Sequence, residues 1–220
     1  DVYKRQVLGT NNIDFRSRPS SDEEAHFLAA RVAGRTQVSW ADVERASTVI
    51  LVAFEPEDEM PIAFLRLRKA VRKHGLKVQT IAPFVSKGSE KLGATLIPAA
   101  PGDELAALDA LEGLDDSTII MVGERAATIP GLLSTATRIA DPSGAQLAWM
   151  PRRAGDKGAI DAGCLPGLLP GGRQVSDAGA RVDVAAAWGV DSLPEADGLS
   201  AEAQFAAVLD GDLKLSLIHI

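Results

Sequence analysis

One cysteine, one tyrosine and no apolar run near the ~20 residues that a membrane-crossing helix requires mark what is scarce in this 220-residue chain. The lone Cys164 cannot close an internal disulfide, and without a C-x-x-C pair or a histidine at ligand spacing it offers neither zinc nor an iron-sulfur cluster a binding set. No metal site is expected here, and the cysteine content suits a reducing compartment. Basic residues are also in deficit: 23 Lys plus Arg stand against 30 Asp plus Glu, a formal charge of −7 with pI near 5.0. Nucleic acid is therefore excluded as an expected partner, because its binding rests on neutralising phosphates with Lys and Arg. A G-x-x-x-x-G-K-[ST] phosphate loop is missing, and so is the nucleophile elbow of a serine hydrolase. Neither nucleotide nor acyl-transfer chemistry has a motif to carry it.

What is present starts with the run Thr48 to Phe54, closed by Glu55-Pro56-Glu57-Asp58-Glu59, followed by an amphipathic stretch to His74, Gly75, and a second apolar run Val78 to Ala82. A short β-branched run, a dozen residues at helical period and another short apolar run predict a parallel β-α-β unit. Ala63, Phe64, Leu67, Ala70 and Val71 share one helical face, while Arg66, Arg68, Lys69, Arg72 and Lys73 share the other. Pro61 suits the first turn and Gly75 a left-handed cap.

Strands are further predicted at 94–97, 117–125 and 145–150, with helices over 22–33, 40–46, 103–111, 130–140, 177–188 and 200–209 and a polar loop over 84–93. This alternation predicts an α/β fold: a mostly parallel, Rossmann-like sheet with helices on both faces. Residues 152–173, rich in Gly and Pro, are expected as a long irregular segment. Arg152, Arg153 and Lys157 there are most simply a solvated turn, with a partner contact as the alternative. The expected organisation is a helical lead-in over 7–46, the parallel α/β domain over 47–150, and a Gly/Pro-rich loop with helices over 151–214.

The two ends stand apart. Residues 1–6 and 215–220 are what the two complementary strands of a transposon end used for sequencing libraries encode, so both hexapeptides are expected to be adapter-derived scars flanking a piece of a longer protein.

Leu8-Gly9-Thr10-Asn11-Asn12-Ile13-Asp14 resembles the G-T-N-N-x-D segment of the molybdopterin oxidoreductase family. Ala53-Phe54-Glu55-Pro56, Ala82-Pro83-Phe84 and Ile97 to Asp103 stand where that family has its G-x-N-P, D-P-R and P-G-T-D turns. Gly158 to Pro166, continued to Gly172, is similar to its N-x-x-G-A-x-x-x-G-x-x-P-x-x-x-P-G run. Closer still, Gly9 to Pro19 and Phe64 to Gly75 resemble the large iron-sulfur subunits of the actinobacterial type of proton-pumping NADH-quinone oxidoreductase, respiratory complex I.

The resemblance implies a molybdopterin oxidoreductase-like fold kept as scaffold in an enzyme that moves electrons from NADH through iron-sulfur clusters (4Fe-4S and 2Fe-2S, held elsewhere in the subunit) to quinone, coupled to proton translocation. It implies other peripheral-arm subunits as partners, a place on the cytoplasmic side of the plasma membrane, and no direct membrane insertion. It also places the remains of a pterin pocket at Asn11, Asn12, Glu55, Pro83, Gly102 and Asp103, where Glu replaces an Asn and would repel a phosphate. No catalytic or cofactor-binding residue is expected in this chain. The alternative is the pterin-binding region of an active molybdopterin oxidoreductase, such as a formate dehydrogenase catalytic subunit. A third option, a stand-alone binding module, would require the chain to fold and stay monomeric alone.

Overall fold

The computed structural model describes Arg5 and residues 8–214; apart from Arg5, the two terminal hexapeptides lie outside them. The chain forms two compact units. Among the described residues, one comprises Ser20–Phe27 and Thr36–Ala154, the other Arg5, residues 8–19, Leu28–Arg35 and residues 155–214.

The first unit is built on five parallel strands: β1 (Thr48–Val52), β2 (Lys77–Ala82), β3 (Thr95–Pro98), β4 (Thr118–Gly123) and β5 (Gln146–Met150), in the spatial order β3-β2-β1-β4-β5. All pairings are parallel, so the chain runs outward from β1 to β3 and then returns to place β4 on the other flank of β1. After an initial threonine, β1 and β4 are apolar and nearly fully buried, as expected where both sheet faces are covered. On one face Val49, Leu51, Ile119, Met121 and Met150 form a cluster with Phe64, Leu67 and Ala70. Those last three come from helix α4 (Pro61–His74), which packs beside α2 (Trp40–Arg45). By the alternation of strand side chains, Ile50, Val52, Ile120 and Val122 point to the opposite face, where α7 (Leu132–Ser143) packs on β4 and β5 and is flanked by α6 (Glu104–Asp109). The expected α/β class is what forms.

The helix limits follow local chemistry. Pro61 occupies the first turn of α4, and Gly75 (φ 72°) closes its far end by donating its N–H to the Ala70 carbonyl. Helix α7 starts at Gly131 with no side-chain cap of its own. The missing acceptor comes from helix α1 (Asp22–Phe27): Glu23 accepts from Gly131 N at 2.7 Å, Ser134 N at 2.7 Å and Ser134 Oγ at 2.8 Å. Burial alone would raise the Glu23 carboxyl, but the hydrogen bonds from Ser134, Gly131 and Leu133 outweigh it and hold the group below its ordinary value. A depressed carboxylate stabilises the fold above its unfolded pKa and loses that contribution as pH falls through the folded one. Glu23→Gln is therefore expected to lower stability by about 1 kcal/mol near neutrality, a value held down by solvent screening. Thermal melts of the two proteins should converge at acid pH.

Three expectations need correction. The segment 84–93 is not a continuous loop but carries helix α5 (Lys87–Leu92), started by the Ser86 hydroxyl accepting from Ser89 N at 2.9 Å and stopped by Gly93 in the left-handed region. It is too short for an apolar period to show. The helix expected over 22–33 changes its hydrogen bonding midway: α1 ends at Phe27 and a π-helical turn covers Leu28–Val32, with Ala33 N donating to the Leu28 carbonyl. In the segment 152–173, α8 (Asp156–Asp161) precedes a small antiparallel pair, β6 (Leu168–Leu169) with β7 (Arg173–Gln174).

That pair belongs to the second unit. Its own core gathers Leu169, Val175, Ala180, Val184 and Leu193. Helix α9 (Ala178–Trp188) contributes to it and is capped by Asp177, which accepts from Gly179 N at 2.8 Å. The last helix, α10 (Ala201–Leu209), is capped by Ser200 and buries none of its residues.

Candidate functional site

In a sheet of this order the point where the strand sequence reverses lies between the carboxyl ends of β1 and β4, and open parallel sheets place their ligands in the crevice there. Two turns form it, one running from Ala53 into helix α3 (Pro56–Glu59), the other from Gly123 into a 3₁₀ turn over Glu124–Thr128.

The backbones of these turns meet directly. A Cβ on Gly123 would strike the Ala53 carbonyl oxygen and come within 3.0 Å of the Phe54 Cβ, so only glycine allows the approach. Ala53 itself holds φ at 48°, a left-handed conformation that favours glycine. Ala53→Gly is expected to raise stability by about 0.5–1 kcal/mol, the relieved strain exceeding the added chain entropy. The check is a higher melting temperature with unchanged far-ultraviolet dichroism.

Side chains fill what the backbone leaves. Glu59, whose side chain is 5% exposed, accepts from Glu55 N at 2.9 Å, from Arg125 Nη2 at 2.9 Å and Nε at 3.0 Å, and from Arg152 Nε at 3.1 Å. The buried Glu124 accepts from Arg152 N at 2.8 Å. Glu55 accepts from Glu57 N and from the Ser86 hydroxyl, and Glu57 pairs with Lys91. Four carboxylates are thus gathered at one edge of the sheet, each already engaged by donors of the same unit. A single buried carboxylate between two half-exposed guanidinium groups joins the ends of β1, β4 and β5.

The other expected pocket positions of this unit, Pro83 after β2 and Gly102 with Asp103 after β3, lie on the same carboxyl edge and are exposed. Gly102 N donates to Glu104 Oε2 at 2.7 Å and Asp103 N to the Ala100 carbonyl at 2.9 Å, both closing their own turn. Neither donor is presented to a ligand.

Asn11 and Asn12 belong to the second unit, where they act as a clamp. The buried Asn11 accepts through Oδ1 from Arg5 Nε at 3.0 Å and Arg5 Nη2 at 2.6 Å, and donates through Nδ2 to the carbonyls of Pro194 at 3.1 Å and Ala196 at 2.7 Å. Asn12 Oδ1 accepts from Leu199 N at 2.8 Å. Asp14 accepts from Ala201 N at 3.1 Å and pairs with Arg16 at 2.8 Å. Every polar side chain of the Asn-Asn-Ile-Asp run is committed to the segment 194–201 or to a local arginine. The Asn11 amide has all four of its hydrogen-bonding positions filled, the two on Oδ1 by Arg5, a residue of the hexapeptide expected to be adapter-derived.

Glu59, Glu124, Arg125 and Arg152 form a centre that residue patterns alone do not assemble. The signal available was positional: Gly123-Glu124-Arg125 directly follows β4, as Glu55 to Glu59 follows β1. Arg152 is accordingly not a plain solvated turn residue but a partner of Glu59, while Lys157 pairs with Asp161 one turn along α8 at 2.5 Å. Among the described residues no group of three or more His, Cys, Asp or Glu is arranged to hold a metal ion.

No family model matches the chain. Over 224 residues covering 98% of it, the chain is 55% identical to the G subunit of NADH-quinone oxidoreductase of Mycobacterium bovis, and equally to that of Mycobacterium tuberculosis. Identity to the protein of the same name from Streptomyces coelicolor is 45% over 246 residues. The chain spans only 28–29% of the length of these relatives. Across that stretch, the chain belongs to the family of NADH-quinone oxidoreductase G subunits.

Proposed function

We propose that this chain is a structural, non-catalytic, molybdopterin oxidoreductase-like part of the iron-sulfur subunit of an NADH-quinone oxidoreductase. The whole enzyme would pass electrons from NADH through iron-sulfur clusters to quinone and couple this to proton translocation. Its partners are the other subunits of the peripheral arm on the cytoplasmic side of the membrane. Among the described residues no helix is long and apolar enough to cross a bilayer.

The observation that carries the reading is the closure of the switch-point crevice by Glu59 with Arg125 and Arg152, over the contact of Ala53 with Gly123. A pterin dinucleotide is anionic, and its phosphates need free N–H donors at such a turn. Here the guanidinium donors point at Glu59, Glu57 N points at Glu55, and the glycine is pressed against backbone. The residues present do not fit that cofactor.

Nor do they fit an iron-sulfur cluster, which is held by four cysteine thiolates or two with two histidines. Cys164 is the sole cysteine and is buried, and burial pushes its thiol up, away from the thiolate a cluster binds. The clusters of the enzyme are therefore assigned to other parts of the subunit.

Elemental analysis of the purified full-length subunit within its complex tests the proposal. Molybdenum and tungsten are expected to be absent at stoichiometric level. One equivalent of either would overturn the scaffold reading in favour of an active pterin enzyme.

A further inference from the structure

Helix α4 turns an unusual face outward. Its inner side supplies Ala63, Phe64, Leu67 and Ala70 to the core, yet Ile62 and Leu65 on its outer side are 51% and 57% exposed. Leu65, Arg68, Lys69 and Arg72 follow one another at i, i+3, i+4 and i+7, so they line a single outward stripe, with Ile62 one turn before and Lys73 beside it. Lys69 is tied to Glu44 of α2 at 2.7 Å. Arg68, Arg72 and Lys73 have no ion-pair partner among the described residues.

Two bland accounts fall short. Cations in the last turn complement the helix dipole, which accounts for Arg72 and Lys73 but not for Arg68, nor for two large aliphatic side chains left in water. A solvated charged face accounts for the cations but would carry mixed signs, and this stripe holds no acid although the molecule as a whole is at −7. Arginines around an exposed aliphatic anchor are the composition of a protein interface.

We infer that the outward face of α4 is the docking surface for a carboxylate-rich surface of another polypeptide of the complex, with Leu65 seated in an apolar recess and Arg68 and Arg72 each forking a carboxylate. The inference rests on reading the chain as part of a multi-subunit enzyme. Charge sign selects the partner: an acidic protein is repelled by the net charge of −7 and attracted by this acid-free cationic stripe, so attraction also sets its orientation. A bilayer fits less well, because two aliphatic residues cannot bury a helix whose main apolar face is already spent on its own sheet.

Zero-length carbodiimide cross-linking of the intact purified complex reads the surface without any substitution. Lys73 is expected to link to Asp or Glu of a different chain, Lys69 being able to link to its own Glu44, and the double variant R68E/R72E to lower recovery of the subunit with the other chains at least tenfold while melting like the wild type. Links confined to the subunit itself, or recovery of the variant equal to that of the wild type, would overturn the inference. So would binding of the wild-type subunit, but not the variant, to vesicles containing phosphatidylglycerol, which would assign the face to anionic lipid. If the wild-type subunit does not co-purify with other chains at all, the multi-subunit reading itself fails; co-purification without intermolecular links sinks the docking surface alone.

Discussion

Alanine at Gly198 is expected to destabilise the second unit by about 3 kcal/mol, because the added methyl group would overlap the Asn11 backbone rather than a flexible side chain. Gly198 N donates to the Pro166 carbonyl at 3.0 Å, and its neighbours on both sides are fixed by the Asn-Asn-Ile-Asp run, so the loop has nowhere to retreat. The amide protons of Leu199 and Ala201, which bond to Asn12 and Asp14, should lose their protection from hydrogen exchange. Gly155→Ala is the control, since a methyl group there meets nothing within 4 Å. If Asn11→Ala is added to Gly198→Ala, the two losses should be far from additive, because both release the same segment. An additive pair would show that Asn11 and the loop are not coupled.

Leu67→Ala carries the second large effect. Leu67 is fully buried between α4 and the central strands, so its truncation removes transfer energy and leaves a cavity, together about 2–5 kcal/mol. For a domain of this size each kcal/mol lowers the melting temperature by about 2–4 °C. Leu65→Ala, two positions earlier on the outward face, should change stability by less than about 0.5 kcal/mol. The contrast separates the two faces of one helix by calorimetry alone. A large loss at Leu65 would show that it packs within this chain.

How far the sequence speaks is visible in the same helix. Pro61, the period of Ala63, Phe64, Leu67 and Ala70, and Gly75 define α4 from the residues alone, because period, start and stop agree. The runs at β1 and β4 are equally plain, since strands buried on both faces read as near-continuous apolar runs. Helix α5 is hidden because six residues cannot display a period and its signals, Ser86 and Gly93, also occur in loops. The Gly-Pro segment conceals β6, β7 and α8 for the same reason.

At the candidate site the acidic character of the β1 turn is legible and its state is not. Glu55, Glu57 and Glu59 read as bare charge in sequence. Neutralising Glu57 and Glu59 takes Lys91, Arg125 and Arg152, and holding Glu55 takes the Ser86 hydroxyl, all of which lie far along the chain and arrive only through the fold. Ala53 is the opposite case: an alanine gives no hint that the turn holds a left-handed, glycine-favouring conformation.

Of the two edge strands, β3 is four residues long and ends on Pro98. Proline offers no N–H to a neighbouring chain, and so short a rim gives little template for a foreign strand to zip along. Assembly through this flank by extending the sheet, including the runaway stacking that leads to fibrils, is thereby discouraged, and a companion on this side must approach by way of helices and turns.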